Sequence, residues 1–147
     1  MRKIKIVLHG QPMPKQSVKQ GKTFKGKKIF YQPKKLVNRK KDYIQQIKKQ
    51  IPANFKPFTK WVHVTELTFV FEPLAKHKKV KYKMEHLSNG GYYEKTTKPD
   101  LTDNLNKLPF DCMSGLVFEE DSRISKINNV SKVYGLEPKI IIKLEGE

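Results

Sequence analysis

The sequence predicts an α/β or α+β domain, a small mixed sheet of about four strands packed against two main helices in the order β-α-β-α-β-β. Three observations predict it. Several short stretches alternate apolar and polar residues, two longer ones carry apolar residues at helical spacing, and no repeat or linker divides the chain. At 147 residues, a single domain over 1–147 is the expected size, large enough to bury a core.

The elements follow in order. Residues 2–9, "RKIKIVLH", alternate around Ile4, Ile6 and Leu8 as a half-buried strand does, and "GQPMPKQS" breaks them with a glycine and two prolines. Residues 15–31 form a basic loop in which Phe24, Phe30 and Tyr31 interleave with lysines, placed either to stack on unpaired bases or to pack in the core. Pro33 suits a first helical turn, and Leu36, Val37, Ile44, Ile47 and Ile51 share one face of a helix reaching about residue 51. Its other face carries Lys34, Lys41, Lys48 and Lys49. Residues 61–72, "WVHVTELTFVFE", give the clearest strand, opened by Trp61 as a core residue. Residues 73–95 read as a polar excursion with the character of a mobile flap, which leaves His77 and His86 exposed or near a ligand. A second helix opens at Pro99 and Asp100, with Leu105, Leu108 and Cys112 on its apolar side and Gly115 as its C-terminal cap. A strand around 123–134, the turn "YGLEP" and the last strand "KIIIKLEG" complete the chain, and the tight final connection favours an antiparallel hairpin.

Hydrophobic content of 37% with eight Phe and six Tyr argues against disorder, despite 31% charged residues. No apolar run approaches the roughly 20 residues that span a bilayer, and the N-terminal apolar stretch is too short for a signal peptide. With Cys112 as the one cysteine, no intrachain disulfide and no cysteine-based zinc site can form; His63 reads as a structural residue of its strand. A cytoplasmic setting with no membrane partner is expected.

Charge is unevenly spread. The formal net charge of +17 divides into +15 over residues 1–50, +4 over 51–100 and −2 over 101–147. A basic front half gives long-range, salt-dependent attraction for a polyanion, carried by Lys15, Lys19, Lys22, Lys25, Lys27 and Lys28 together with Lys34 and Lys35. An anionic membrane surface stays open on charge alone. Against this background "KPDLTDNLNK" gathers acid. On a helix, Asp100, Asp103, Lys107 and Asp111 would share one face, and the first two would sit in a first turn that favours anions. A surface Asp103–Lys107 salt bridge is the plainer account of the same spacing. If "FEED" at 118–121 folds back against the helix start, however, Asp100, Asp103 and Asp121 make an all-oxygen pocket suited to Mg²⁺ or Mn²⁺. Lys107 could then stabilise charge developing on a phosphate.

"KPDLTDNLNKLPFDCMSGLVFEEDSRI" resembles the signature of RusA-like Holliday-junction resolvases, roughly KPDxDNLxKxxxDALxGxxxxDDxxI. "GQPMPKQS" is similar to the family's Gly-x-Pro-x-Pro-Lys opening, and "YQPKKLVNRKKDYIQQI" to its Tyr-x-Pro-Lys entry into the first helix. The resemblance covers nearly the whole chain apart from residues 73–95. It implies a RusA-like fold and a Mg²⁺-dependent, homodimeric endonuclease that nicks four-way DNA junctions symmetrically, with no small-molecule cofactor. By position, Asp100, Asp103 and Asp121 match the metal-binding aspartates, Lys107 the catalytic lysine and Glu120 the other member of the acidic pair. Family genes are common in prophages, which implies a phage or bacterial source.

Three departures bear on this. Thr102 widens Asp-x-Asp to Asp-x-x-Asp, which a helix start would accommodate on one face. Pro109 falls inside the expected helix and predicts a kink or break near residues 105–109. Lysines replace the family's arginines after the Pro-Lys pair, giving point charges without the bidentate fork. Two other readings remain open: a branched-DNA-binding protein that keeps the fold without cleaving, and a nuclease for RNA, flaps or forks.

Overall fold

The computed structural model describes residues 1–14, 19–22, 26, 28–31, 34–101 and 105–147, with backbone alone for 19–22 and 28–31. Its strands are β1 (Arg2–His9), β2 (Lys19–Lys22), β3 (Lys28–Tyr31), β4 (Val62–Phe71), β5 (Tyr93–Glu94), β6 (Ile124–Ile127), β7 (Val130–Tyr134) and β8 (Lys139–Gly146). The helices are α1 (Lys34–Gln50), α2 (Ala75–Lys78), α3 (Lys81–Ser88) and α4 (Lys107–Met113). Six strands form one mixed sheet in the order β1-β8-β4-β7-β5, with β6 also paired to β4, while β2 and β3 form a separate antiparallel pair. The expected four strands are therefore too few, and the expected final hairpin does not form, because β4 lies between β7 and β8 and pairs with both. The stretch 123–134 is two strands, β6 and β7, both parallel to β4, and β5 adds an antiparallel edge.

The break between β6 and β7 has a partner in β4. Thr65 is skipped where Val64 pairs with Leu144 and Glu66 with Lys143. Such a one-residue bulge reverses which residues face inward. Accordingly Val62 and Val64 enter the core before it, and Leu67, Phe69 and Phe71 after it. On the other side Asn129, at φ 51°, spans the gap: its carbonyl accepts from Leu67 N at 3.2 Å and its Nδ2 donates to Thr65 O at 3.1 Å. Asparagine tolerates this left-handed conformation better than most residues.

Helix α1 closes the far edge of the sheet. Gln46 and Gln50, one turn apart, pair their amides with the β1 backbone. Gln50 accepts from Val7 N at 2.8 Å and donates to Val7 O at 2.7 Å; Gln46 accepts from His9 N at 2.7 Å and donates to His9 O at 3.1 Å. The exposed strand edge is thus satisfied by side chains. Leu36, Tyr43 and Ile47 turn inward, and α4 joins the same core through Leu108, Phe110, Cys112 and Met113. The turn after β1 needs its glycine. Gly10 sits at φ 119°, and a Cβ there would lie 2.7 Å from the Arg39 guanidinium, which donates to Gln11 O.

Helix α4 begins at Lys107, later than the sequence predicts. Pro109 explains the delay. In an interior turn its missing N–H and its ring would break the helix; as the third residue it occupies a position whose N–H lacks an intrahelical partner anyway. Gly115 follows the helix at φ 84°, as its predicted capping role requires. Residues 73–95 carry α2, α3 and β5. His77, expected to be exposed, is 5% exposed and stacks on Tyr93 with centroids 4.9 Å apart. Trp61, expected in the core, is half-buried just before β4, against the His63 ring at 4.5 Å. Among the described residues no helix is long and apolar enough to cross a membrane.

Candidate active site

Strand β5 delivers the acidic segment to the sheet. It runs antiparallel to β7, and the chain continues along that strand, with Lys95 N donating to Lys132 O at 3.2 Å. The Lys132 ammonium then donates to two carbonyls of the segment, Thr97 O at 2.7 Å and Pro99 O at 2.8 Å. A second set of contacts fixes the same stretch from the other side. Lys95 Nζ donates to Thr97 Oγ1 at 3.0 Å and to the Tyr134 hydroxyl at 3.3 Å, and Thr97 and Tyr134 share a hydrogen bond of 3.2 Å. The Thr97 bond above all, and then Lys95, lower the Tyr134 phenol from its ordinary pKa. The residue that leaves this lock is Asp100, whose side chain is exposed.

Immediately beyond it, Leu101 and Asn106 line a cleft of about 280 Å³ with Leu67, Ile127 and Val130. That cleft lies over the β6–β7 break. Asp121 opens a 3-10 turn, Asp121–Arg123, that runs directly into β6. The four residues of β6 are thus all that separate this turn from the break beneath Leu101. Glu120 and Asp121 are exposed, and so is Lys107 on the first residue of α4.

The predicted helical face does not form as expected. Asp100 precedes α4 by seven positions and lies outside any helix, so of the described members of that set only Lys107 and Asp111 share one. Asp103 lies outside the described residues, as do Thr102, Lys15, Lys25, Lys27 and Phe24. Lys19 and Lys22 fall on β2 and Lys28 on β3, whereas Lys34 and Lys35 are exposed on the first turn of α1. Among the described residues no three His, Cys, Asp or Glu side chains form a group able to hold a metal ion.

Sequence reasoning missed three residues. Lys132 and Thr97 act on the backbone that presents Asp100, and no motif spacing announces a side chain bonded to carbonyls 33 and 35 positions away. Arg123 did leave a signal, since it stands four residues after Glu119. Its guanidinium bonds Glu119 at 2.9 Å and lies 3.6 Å from Glu120, while its Nε is buried with no partner among the described residues. Glu120 is therefore already engaged by a cation.

No curated protein matches the sequence. The family model described as endodeoxyribonuclease RusA matches residues 9–145, from the end of β1 into β8 and through every segment of the site. The chain belongs to the RusA endodeoxyribonuclease family.

Proposed function

We propose that this chain is a structure-selective DNA endonuclease that resolves four-way junctions by paired symmetric nicks. The observation that carries this reading is the lock on residues 97–99. A backbone segment held by Lys132 and braced by Lys95 and Tyr134 presents the exposed Asp100 at a defined place beside the β6–β7 cleft.

The donor chemistry fits a hard divalent cation. Asp100, Asp103 and Asp121 would hold Mg²⁺ (or Mn²⁺), with Glu120 as a further carboxylate that must first share or release Arg123. Such an ion supplies Lewis-acid polarisation of the phosphoryl oxygen and neutralises the leaving alkoxide. The chain's own part is positional and electrostatic. Lys132 holds the backbone that leads into Asp100. Lys107 presents an exposed ammonium to charge developing on the phosphate. Arg123 offsets the repulsion among Glu119, Glu120 and their neighbours. The basic front segment, from Lys15 to Lys28 with Lys34 and Lys35, holds the DNA backbone.

The test is cleavage of a synthetic four-way junction against a linear duplex of the same sequence, with and without Mg²⁺. Mg²⁺-dependent nicking confined to the junction is expected. Binding without nicking under any divalent ion would instead make the chain a branched-DNA-binding protein, and equal nicking of flaps or RNA would reassign its substrate.

A further inference from the structure

We infer that α2 and α3 form a second nucleic-acid-binding surface, a lysine-lined groove that takes the phosphates of a DNA arm next to the carboxylate site. For its partner the inference rests on the DNA-cleaving reading above. Residues 76–83 carry five lysines in eight positions: Lys76, Lys78, Lys79, Lys81 and Lys83. Between the two helices lies an open groove of about 500 Å³, lined by Lys78, Lys79, Lys81, Met84 and Asn89 with Glu85 as its one carboxylate. The three groove lysines are exposed, and among the described residues no salt bridge joins any of the five to an acid.

Helices of four and eight residues are too short to persist unaided, and like charges at these spacings oppose them further. They are held from below. Leu87 is 1% exposed, and His77 stacks on Tyr93 while its ring lies 5.1 Å from that of Tyr134. Leu74 N donates to His77 Nδ1 at 3.1 Å, which requires that nitrogen to be unprotonated. A concentrated, unneutralised charge mounted on buried anchors fits a polyanion.

Its place in the fold indicates which polyanion. Tyr134, against which His77 packs, is the residue hydrogen-bonded to Thr97 and Lys95 in the lock that presents Asp100. Helix α2, which carries Lys78 of the groove, is therefore linked through His77 and Tyr134 to the segment that enters the site. Tyr82 is 68% exposed, beside Lys81 on α3, which leaves an aromatic face free to stack on an unpaired base. An anionic bilayer is served less well, because insertion requires an apolar helix face and Leu87, the buried apolar residue of α3, is turned into the protein.

The experiment uses the full chain without divalent ions, so that binding is read apart from cleavage. Lys78→Gln, Lys79→Gln and Lys81→Gln are combined, and junction affinity is measured by fluorescence anisotropy across a salt series. Affinity is expected to fall, and the slope of log affinity on log salt to flatten by about 2.7, about 0.9 for each of three phosphates. In parallel, the fluorescence of Tyr82→Trp, read against the parent, is expected to be quenched by a junction and unmoved by phosphatidylserine vesicles. An unchanged slope in a triple variant with parental circular dichroism overturns the proposal. So does a response to vesicles but not to DNA. A chain that never cleaves yet shows the flattened slope loses the nuclease reading and keeps this surface.

Discussion

Lys132 sits half-buried on β7 with its ammonium committed to two backbone carbonyls. Lys132→Met keeps the stem and removes both donors, so the segment before Asp100 loses its register. A displacement of about 1 Å at a reacting centre can cost on the order of 10²-fold in rate. The variant is expected to lose cleavage on that order in kcat, with junction affinity nearly intact and a higher Mg²⁺ midpoint; Lys132→Arg should recover part of the rate. Unaltered metal dependence would show that the lock does not position Asp100. The carboxylates make a second residue-scale prediction. Asp100→Asn, Asp103→Asn and Asp121→Asn should each abolish nicking while junction binding persists or tightens, because each change removes a negative charge facing phosphate. Lys107→Ala should lose most cleavage without rescue by added Mg²⁺, and Asp111→Asn should matter less than any of them. Parental rates in Asp103→Asn beside a dead Asp100→Asn would remove Asp103 from the ligand set. Glu120 would then be tested together with Arg123, its present partner. The motif named these side chains from sequence alone. It could not reveal Lys132, whose role depends on a strand pairing that brings residues 97 and 132 together.

The elements differ in how legibly the sequence encodes them. Helix α1 was readable because its apolar residues repeat with helical period, and it spans Lys34–Gln50 against an expected end near 51. Strands β4 and β8 were readable because β-branched and aromatic or aliphatic residues crowd them, although the bulge at Thr65 breaks the alternation in β4. By contrast, the acidic spacing mimics a helical face and predicts too early a start for α4, while Pro109 dictates a later one. The break between β6 and β7 was hidden, since only the opposing bulge at Thr65 reveals it. Gln46 and Gln50 looked like ordinary polar helix residues, and their pairing with β1 predicts a measurable role. Combining Gln46→Ala with Gln50→Ala removes four hydrogen bonds, each worth roughly 0.5–1.5 kcal/mol net and less where water can replace it. Destabilisation of about 1–3 kcal/mol in urea unfolding is expected, with concentration-dependent association through the freed β1 edge. Unfolding at the parental midpoint would show that the edge needs no cover. His77 gives the α2–α3 unit a pH dependence. Burial first, and then the charges of Lys76 and Lys83, lower its pKa, so the folded state favours the neutral ring. That stability is complete above the ordinary histidine value of about 6.5 and is lost as pH falls from there through the folded-state pKa. His77→Gln should therefore narrow the drop in Tm between pH 7.5 and pH 5.5, with other titrating groups cancelling in the comparison. An identical drop would assign the acid sensitivity elsewhere.

For the molecule as a whole, charge division was the plainest message of the sequence: a strongly basic front half, then a −2 segment bearing most of the site. Light scattering should show a homodimer, since a four-way junction has two-fold symmetry and two opposed nicks require two related sites. Only monomer, free and on DNA, would contradict it. Fold class was legible because patterning reports which faces are buried. Strand number was not, because β5 and β6 are too short and too exposed to show alternation. Paired cleavage of a four-way junction is read out by a supercoiled plasmid that extrudes a cruciform. The first nick relaxes the plasmid and lets the cruciform reabsorb, so a second nick must fall within the lifetime of the same complex. With Mg²⁺, linear plasmid cut at the cruciform is expected, and none with Asp100→Asn. Nicked circles alone, or intact plasmid despite tight junction binding, would contradict it.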